Sequence, residues 1–108
     1  MQLTPIESAL PADDEDFGPL LKRFVAESLP SLVKNISGYY AQKNWAALKA
    51  EVHRLKGVGG GYGYPMLTDV CKRIEAEIKS ENVAALAQMV SELNEYHQRI
   101  QMSNFAKQ

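Results

Sequence analysis

Apolar residues recur at helical spacing along most of this chain, and no segment shows the alternation of a half-buried strand. Phe17, Leu20, Leu21, Phe24, Val25, Leu32, Val33 and Ile36 form the first such series. Trp45, Leu48, Val52 and Leu55 form the second, Leu67, Val70, Cys71, Ile74 and Ile78 the third, and Val83, Leu86, Val90, Leu93 and Ile100 the last. Breaks between them fall where helix chemistry puts them. Pro30 predicts either a kinked long helix or two short ones meeting there, because proline offers no N–H and its ring crowds the preceding turn. The helix containing Ile36 is predicted to end near Tyr40 to Lys43. Asn44 and Asn82 are predicted N-caps, whose side chains accept from free backbone N–H groups. Pro65 suits the first turn of a helix that follows a glycine-rich turn near Tyr62 to Tyr64. The acidic run Asp13-Asp14-Glu15-Asp16 suits the N-terminal end of the first helix, where the helix dipole favours negative charge. Four amphipathic helices with short connections, preceded by a shorter element, predict an all-α bundle with up-down neighbours.

At 108 residues the chain has the size of one domain, expected over 13–108 after a polar leader over 1–12. A chain of this length buries enough surface to fold without metal or disulfide. The single cysteine, Cys71, forms no internal disulfide and reads as a small core residue. Twelve Lys and Arg against thirteen Asp and Glu give a net charge of −1, which argues against general nucleic-acid binding. No apolar run is long enough to cross a bilayer, and Met1-Gln2-Leu3-Thr4-Pro5 lacks the basic and apolar regions of a secretory signal. A cytoplasmic protein without membrane contact is therefore expected, and a monomer suffices.

His53 is the residue that points to chemistry. On a helical projection it lies roughly 130° from the centre of the Trp45/Leu48/Val52/Leu55 stripe and should face solvent. Lys49, Lys56, Gly57 and Gly60 fall at i−4, i+3, i+4 and i+7 and share its sector. Glycine within a helix costs on the order of 1 kcal/mol relative to alanine, so Gly57 and Gly60 beside an exposed imidazole suggest surface clearance for a large partner. A neutral imidazole is a nucleophile near neutral pH, and flanking ammonium groups neutralise a phosphoryl group; the chemistry suggested is reversible phosphorylation. No nucleotide site accompanies it. Gly57-Val58-Gly59-Gly60-Gly61-Tyr62 fails G-x-G-x-x-G at its last position and follows no strand. His97 lies on the Leu86/Val90/Leu93/Ile100 stripe and reads as structural, and a His53/His97 metal pair would lack further ligands. Arg54 reads as a solvated charge or a partner contact, while Tyr62 and Tyr64 read as packing anchors or flanks of a docking surface.

The stretch His53-Arg54-Leu55-Lys56-Gly57, continued by Gly63, Leu67, Cys71 and Ile74-Glu75, resembles the histidine-containing phosphotransfer (HPt) domains of bacterial multistep phosphorelays. The resemblance implies an antiparallel four-helix bundle with a short N-terminal capping helix. It further implies phosphorylation of His53, usually at Nε2, with Lys56 contacting the phosphoryl group and Gly57 keeping the surface open. The segment after Lys56-Gly57 departs from the family's usual run of small residues, having Val58-Gly59-Gly60-Gly61-Tyr62. The implied partners are receiver domains of a hybrid sensor kinase and of a response regulator, which bring the aspartate, Mg²⁺ and the catalysis. The chain itself would hold no cofactor and would be a carrier. Two other readings stay open: an adaptor bundle that binds a receiver or kinase surface without being phosphorylated, and an autonomous enzyme, disfavoured by the lack of an evident base or metal site.

Overall fold

A computed structural model describes residues 3–103. All regular structure among them is helical: α1 (Phe17–Arg23), a π-helical segment (Phe24–Ser28), α2 (Leu29–Ala41), α3 (Trp45–Gly59), a 3-10 turn (Gly60–Tyr62), α4 (Pro65–Lys79) and α5 (Val83–Gln101). The four longer helices pack in a closed ring, α2 on α3, α3 on α4, α4 on α5 and α5 on α2. Leu29, Ile36, Leu48, Val52, Leu55, Leu67, Ile74, Leu86, Leu93 and Ile100 are buried inside it, with almost no exposed surface. All but Leu29 belong to the predicted stripes, whereas Leu20 of the first predicted series is exposed. Trp45 and Ile78 are only partly buried, and Val83 is exposed.

The interruption near Pro30 is a π turn rather than a break. The Leu29 N–H bonds back to the Phe24 carbonyl, one residue further than in an α-helix, and Pro30 then sits in the first turn of α2, where no N–H is needed. The chain therefore passes the proline without leaving helical geometry. At the start of α1 the acidic run acts through one member. Asp14 Oδ1 accepts from the amides of Asp16 and Phe17 at 2.9 and 2.8 Å.

The two Asn-initiated helices follow one backbone solution but differ at the cap. Before each, a residue in left-handed conformation closes the preceding helix, Lys43 with φ 57° and Glu81 with φ 59°. The amides of Asn44 and Asn82 bond back to the Tyr39 and Glu77 carbonyls. Asn44 Oδ1 then accepts from Ala47 N at 3.3 Å, as predicted. The Asn82 side chain makes no such bond; its carbonyl receives the Ala85 amide instead, which corrects the expected side-chain cap.

Residues 3–12 are not a detached leader. Ile6 is buried in the core cluster and its amide bonds to the Arg99 carbonyl at 2.9 Å. Ser8 Oγ donates to the Tyr62 carbonyl at 2.6 Å, and the Ala9 amide donates to the Gly63 carbonyl at 2.9 Å. A side chain at Gly63 would collide with Ser8, and its φ of 87° is in any case glycine's. The polarity of this stretch concealed a single apolar anchor.

Candidate functional site

His53 projects from the middle of α3, opposite the buried Val52 and Leu55, and 72% of its side chain is exposed. The predicted direction of the imidazole is the observed one. α4 lies against this part of α3 at close range, because Gly59 has no side chain: a Cβ there would stand 2.9 Å from Leu67 Cβ. Thr68 Oγ1 donates to the Lys56 carbonyl at 3.2 Å across the same seam. Close approach of the helices brings a carboxylate to the histidine.

That carboxylate is Glu75 of α4. Its Oε1 lies 3.5 Å from His53 Nδ1 and 3.1 Å from Lys56 Nζ, and its Oε2 accepts from Lys56 Nζ at 3.2 Å. Only 21% of the Glu75 side chain is exposed, so water screens these contacts little. Oε1 is buried and has no hydrogen bond of its own, leaving acceptor capacity facing Nδ1. With Nδ1 turned toward a carboxylate, Nε2 is the ring nitrogen without a partner among the described residues. Sequence reasoning counted Glu75 within the family pattern but assigned it no contact with His53. Twenty-two residues separate them, and only the packing of α4 on α3 joins them.

The other predicted residues divide. Lys56 is half-buried with its ammonium on Glu75, so it stands beside the imidazole already paired. Lys49 is exposed and lines a groove of about 450 Å³ with Lys72, Glu75, Ala76 and Lys79. Gly57 is exposed, with nothing within 4 Å of where a Cβ would be. Gly60 is exposed too, but a Cβ there would meet Thr68 Oγ1 at 3.0 Å. Its missing side chain accommodates α4 more than it clears the approach to His53, because the helix tightens to 3-10 geometry there.

Arg54 reaches the other flank of α3, where its guanidinium pairs at 3.1 Å with Glu51, a carboxylate 8% exposed that also accepts from Asn35 Nδ2 at 2.8 Å. Tyr62 is half-buried, stacked on Phe24 with ring centroids 4.3 Å apart, and lines a second groove with Arg54 and Val58. Tyr64 is fully buried, which corrects its expected place on a docking surface: as the residue before Pro65 it turns inward under Phe24. Burial pushes its hydroxyl pKa up. Cys71 is buried in α4, and burial together with Glu75 pushes its thiol up to about 12, which keeps it protonated and unreactive. His97 is half-buried on α5 near the π segment; its Nε2 lies 3.2 Å from Gln101 Nε2, which also donates to the Val25 carbonyl. It takes no part in the His53 cluster.

The site is thus an exposed imidazole with a carboxylate behind it and an ammonium at its side, on one helix of an all-α bundle. The family model of the Hpt domain matches residues 19–103. The chain belongs to the Hpt domain family. This assigns it to phosphotransfer in phosphorelays, where such domains carry phosphoryl groups and meet receiver domains. No match was found among curated proteins or among solved structures. Among the described residues of this Hpt domain, no helix is long and apolar enough to cross a membrane.

Proposed function

We propose that this Hpt domain is a phosphocarrier that accepts a phosphoryl group on His53 Nε2 from an aspartyl phosphate of one receiver domain and passes it to the aspartate of another. The observation that carries the proposal is the pairing of His53 Nδ1 with Glu75 at 3.5 Å on an otherwise exposed ring. A carboxylate there favours the tautomer protonated at Nδ1 and leaves the Nε2 lone pair free to attack. The N–P bond forms as the P–O bond to the aspartate breaks, and the aspartate leaves as a carboxylate. The proton stays on Nδ1. The ring becomes a phosphoimidazolium, whose positive charge Glu75 offsets. Transfer onward reverses these steps.

Lys56 and Lys49 supply positive charge for the phosphoryl oxygens, and Gly57 leaves room for the partner. The receiver domain brings Mg²⁺ and the catalytic groups, so this chain is a carrier rather than an enzyme. Contacts running in opposite order along α3 and α4, Gly59 near Leu67 and Lys56 near Glu75, support an antiparallel pairing of these two helices, as an up-down bundle with α1 as its cap requires. The protein is expected to act as a cytoplasmic monomer.

The test is phosphoryl transfer from a phosphorylated receiver domain with Mg²⁺, comparing wild type with His53→Gln. An acid-labile, alkali-stable label on wild type and none on the variant is expected. Unlabelled wild type that binds the receiver as well as His53→Gln does would replace the carrier by an adaptor.

A further inference from the structure

Pro30 leaves one carbonyl at the joint between α1 and α2 without a helical partner. The Leu29 amide is taken by the Phe24 carbonyl across the π turn, and the residue next in line to serve the Val25 carbonyl is Pro30, which has no N–H. Val25 is buried, so water is kept from taking that place. Gln101 of α5 takes it instead: its Nε2 donates to the Val25 carbonyl at 2.7 Å. The same amide nitrogen lies 3.2 Å from His97 Nε2. A carbonyl only accepts, so the Gln101 group facing both partners is its amino group, and His97 Nε2 accepts the second N–H. The bridge from His97 through Gln101 to Val25 therefore requires a neutral imidazole with its proton on Nδ1.

Burial alone holds the His97 pKa below the ordinary imidazole value, with no contribution from a charged side chain among the described residues. Lys22 of α1 and Lys34 of α2 are exposed, and Glu27 of the π segment is turned outward to Arg23 at 3.0 Å. Glu92, Glu95 and Arg99 of α5 line a separate groove with Leu3. A proton on His97 thus meets no carboxylate. Its one polar neighbour is Gln101, which has to turn its oxygen toward the new N–H and then sets oxygen against oxygen at Val25.

We propose that His97 and Gln101 form a proton-operated latch on the α1–α2 joint, closed while His97 is neutral and released when it is protonated, which acts through Phe24 on the groove beside Arg54. The π segment makes the connection. Phe24, its first residue, is buried and stacked on Tyr62 with ring centroids 4.3 Å apart, and both rings line that groove with Ser28, Arg54 and Val58. Val25 follows Phe24 in the chain, so losing the bond at its carbonyl loosens the turn that sets the Phe24 ring. The latch needs no phosphoryl group on His53.

Amide exchange and proton NMR on the full chain test this. Protection of the Leu29 amide, corrected for the intrinsic pH dependence of exchange, is expected to fall about five-fold or more between about pH 7 and about pH 5, while the Val52 and Ile74 amides keep theirs to within about two-fold. The Tyr62 ring resonances should move with the same midpoint. His97→Gln keeps an acceptor for Gln101 and takes up no proton, so its Leu29 protection should stay high at both pH values. Gln101→Met removes the bridge, so protection there should be low at both, and either variant carries the test if the other does not fold. Equal losses at Leu29, Val52 and Ile74 in wild type overturn the proposal, because a buried histidine that destabilises the whole fold does that without a latch. Leu29 protection independent of pH in wild type overturns it, as does a pH-dependent fall that survives in Gln101→Met. Tyr62 resonances that stay fixed while Leu29 loosens overturn it too, since the change then stops short of the groove.

Discussion

Glu75 Oε1 stands 3.5 Å from His53 Nδ1 and 3.1 Å from Lys56 Nζ, so a single carboxylate on α4 meets both the imidazole and the nearest ammonium of α3. The imidazole is thereby oriented from behind, and the ammonium is kept close to where a phosphoryl group on Nε2 would lie. In the carrier proposed above, Glu75 would act as a positioning residue.

Replacing Glu75 separates its charge from its hydrogen-bonding shape. Glu75→Ala is expected to slow phosphorylation of His53 by about ten-fold, equivalent to about 1.4 kcal/mol, while Glu75→Gln, which keeps an acceptor, should recover part of that loss. Nitrogen NMR of the His53 ring provides the decisive readout. The Nδ1–H tautomer should dominate in wild type and give way to the ordinary mixture in Glu75→Ala; an unchanged tautomer ratio would remove Glu75 from this role.

Two glycines two positions apart in the chain should respond oppositely, because Gly57 faces open space and Gly59 faces Leu67. Gly57→Ala is expected to stabilise the fold by up to about 1 kcal/mol, since a helical alanine replaces a helical glycine. Gly57→Leu should keep that fold and its phosphoramidate labelling but slow transfer from a receiver domain. Gly59→Ala should cost about 1–3 kcal/mol by pushing α4 from α3. Thermal unfolding of the three variants checks the ranking.

The N-terminal stretch contributes to stability through Ile6. Ile6→Ala is expected to cost about 2 kcal/mol, because the side chain is buried where the stretch meets α5. Denaturant unfolding measures this, and a midpoint equal to wild type would show that the stretch does not add to the folded core in solution.

His97 should make stability fall at mildly acidic pH. Burial holds its pKa below the ordinary imidazole value, so the native state resists a proton that the unfolded chain accepts. The associated stability is fully present above about pH 6.5 and is lost as pH falls from there through the lower native value. Protonation would also turn the Nε2 acceptor facing Gln101 into a donor. His97→Gln is expected to flatten the stability curve between about pH 7 and pH 5, measured by denaturant midpoints. A slope identical to wild type would mean that His97 is as accessible to protons folded as unfolded.

The helices and the His53 face of α3 were legible in the chain because both depend on local spacing. Residues at i, i+3, i+4 and i+7 share a helix face whatever the rest of the molecule does, so His53, Lys56 and Gly57 could be grouped and turned away from Val52 and Leu55 before any fold was known. Asn44, Pro65 and the glycine turn are likewise local chemistry. What misled was also local: Tyr64 lies beside the exposed turn but points inward, and Asn82 repeats the context of Asn44 without its cap bond.

By itself, then, the sequence determined an all-α chain with one exposed histidine flanked by lysine and glycine, because periodicity and near-neighbour geometry are properties of each helix alone. Only the tertiary structure decided that Glu75 backs the histidine, that Lys72 and Lys79 join Lys49 in one groove, and that Ile6 enters the core. Each of those depends on which faces of separate segments meet. Contact between residues far apart in the chain is set by the packing of whole helices, and the missing side chain at Gly59 lets α3 and α4 come close enough to make it.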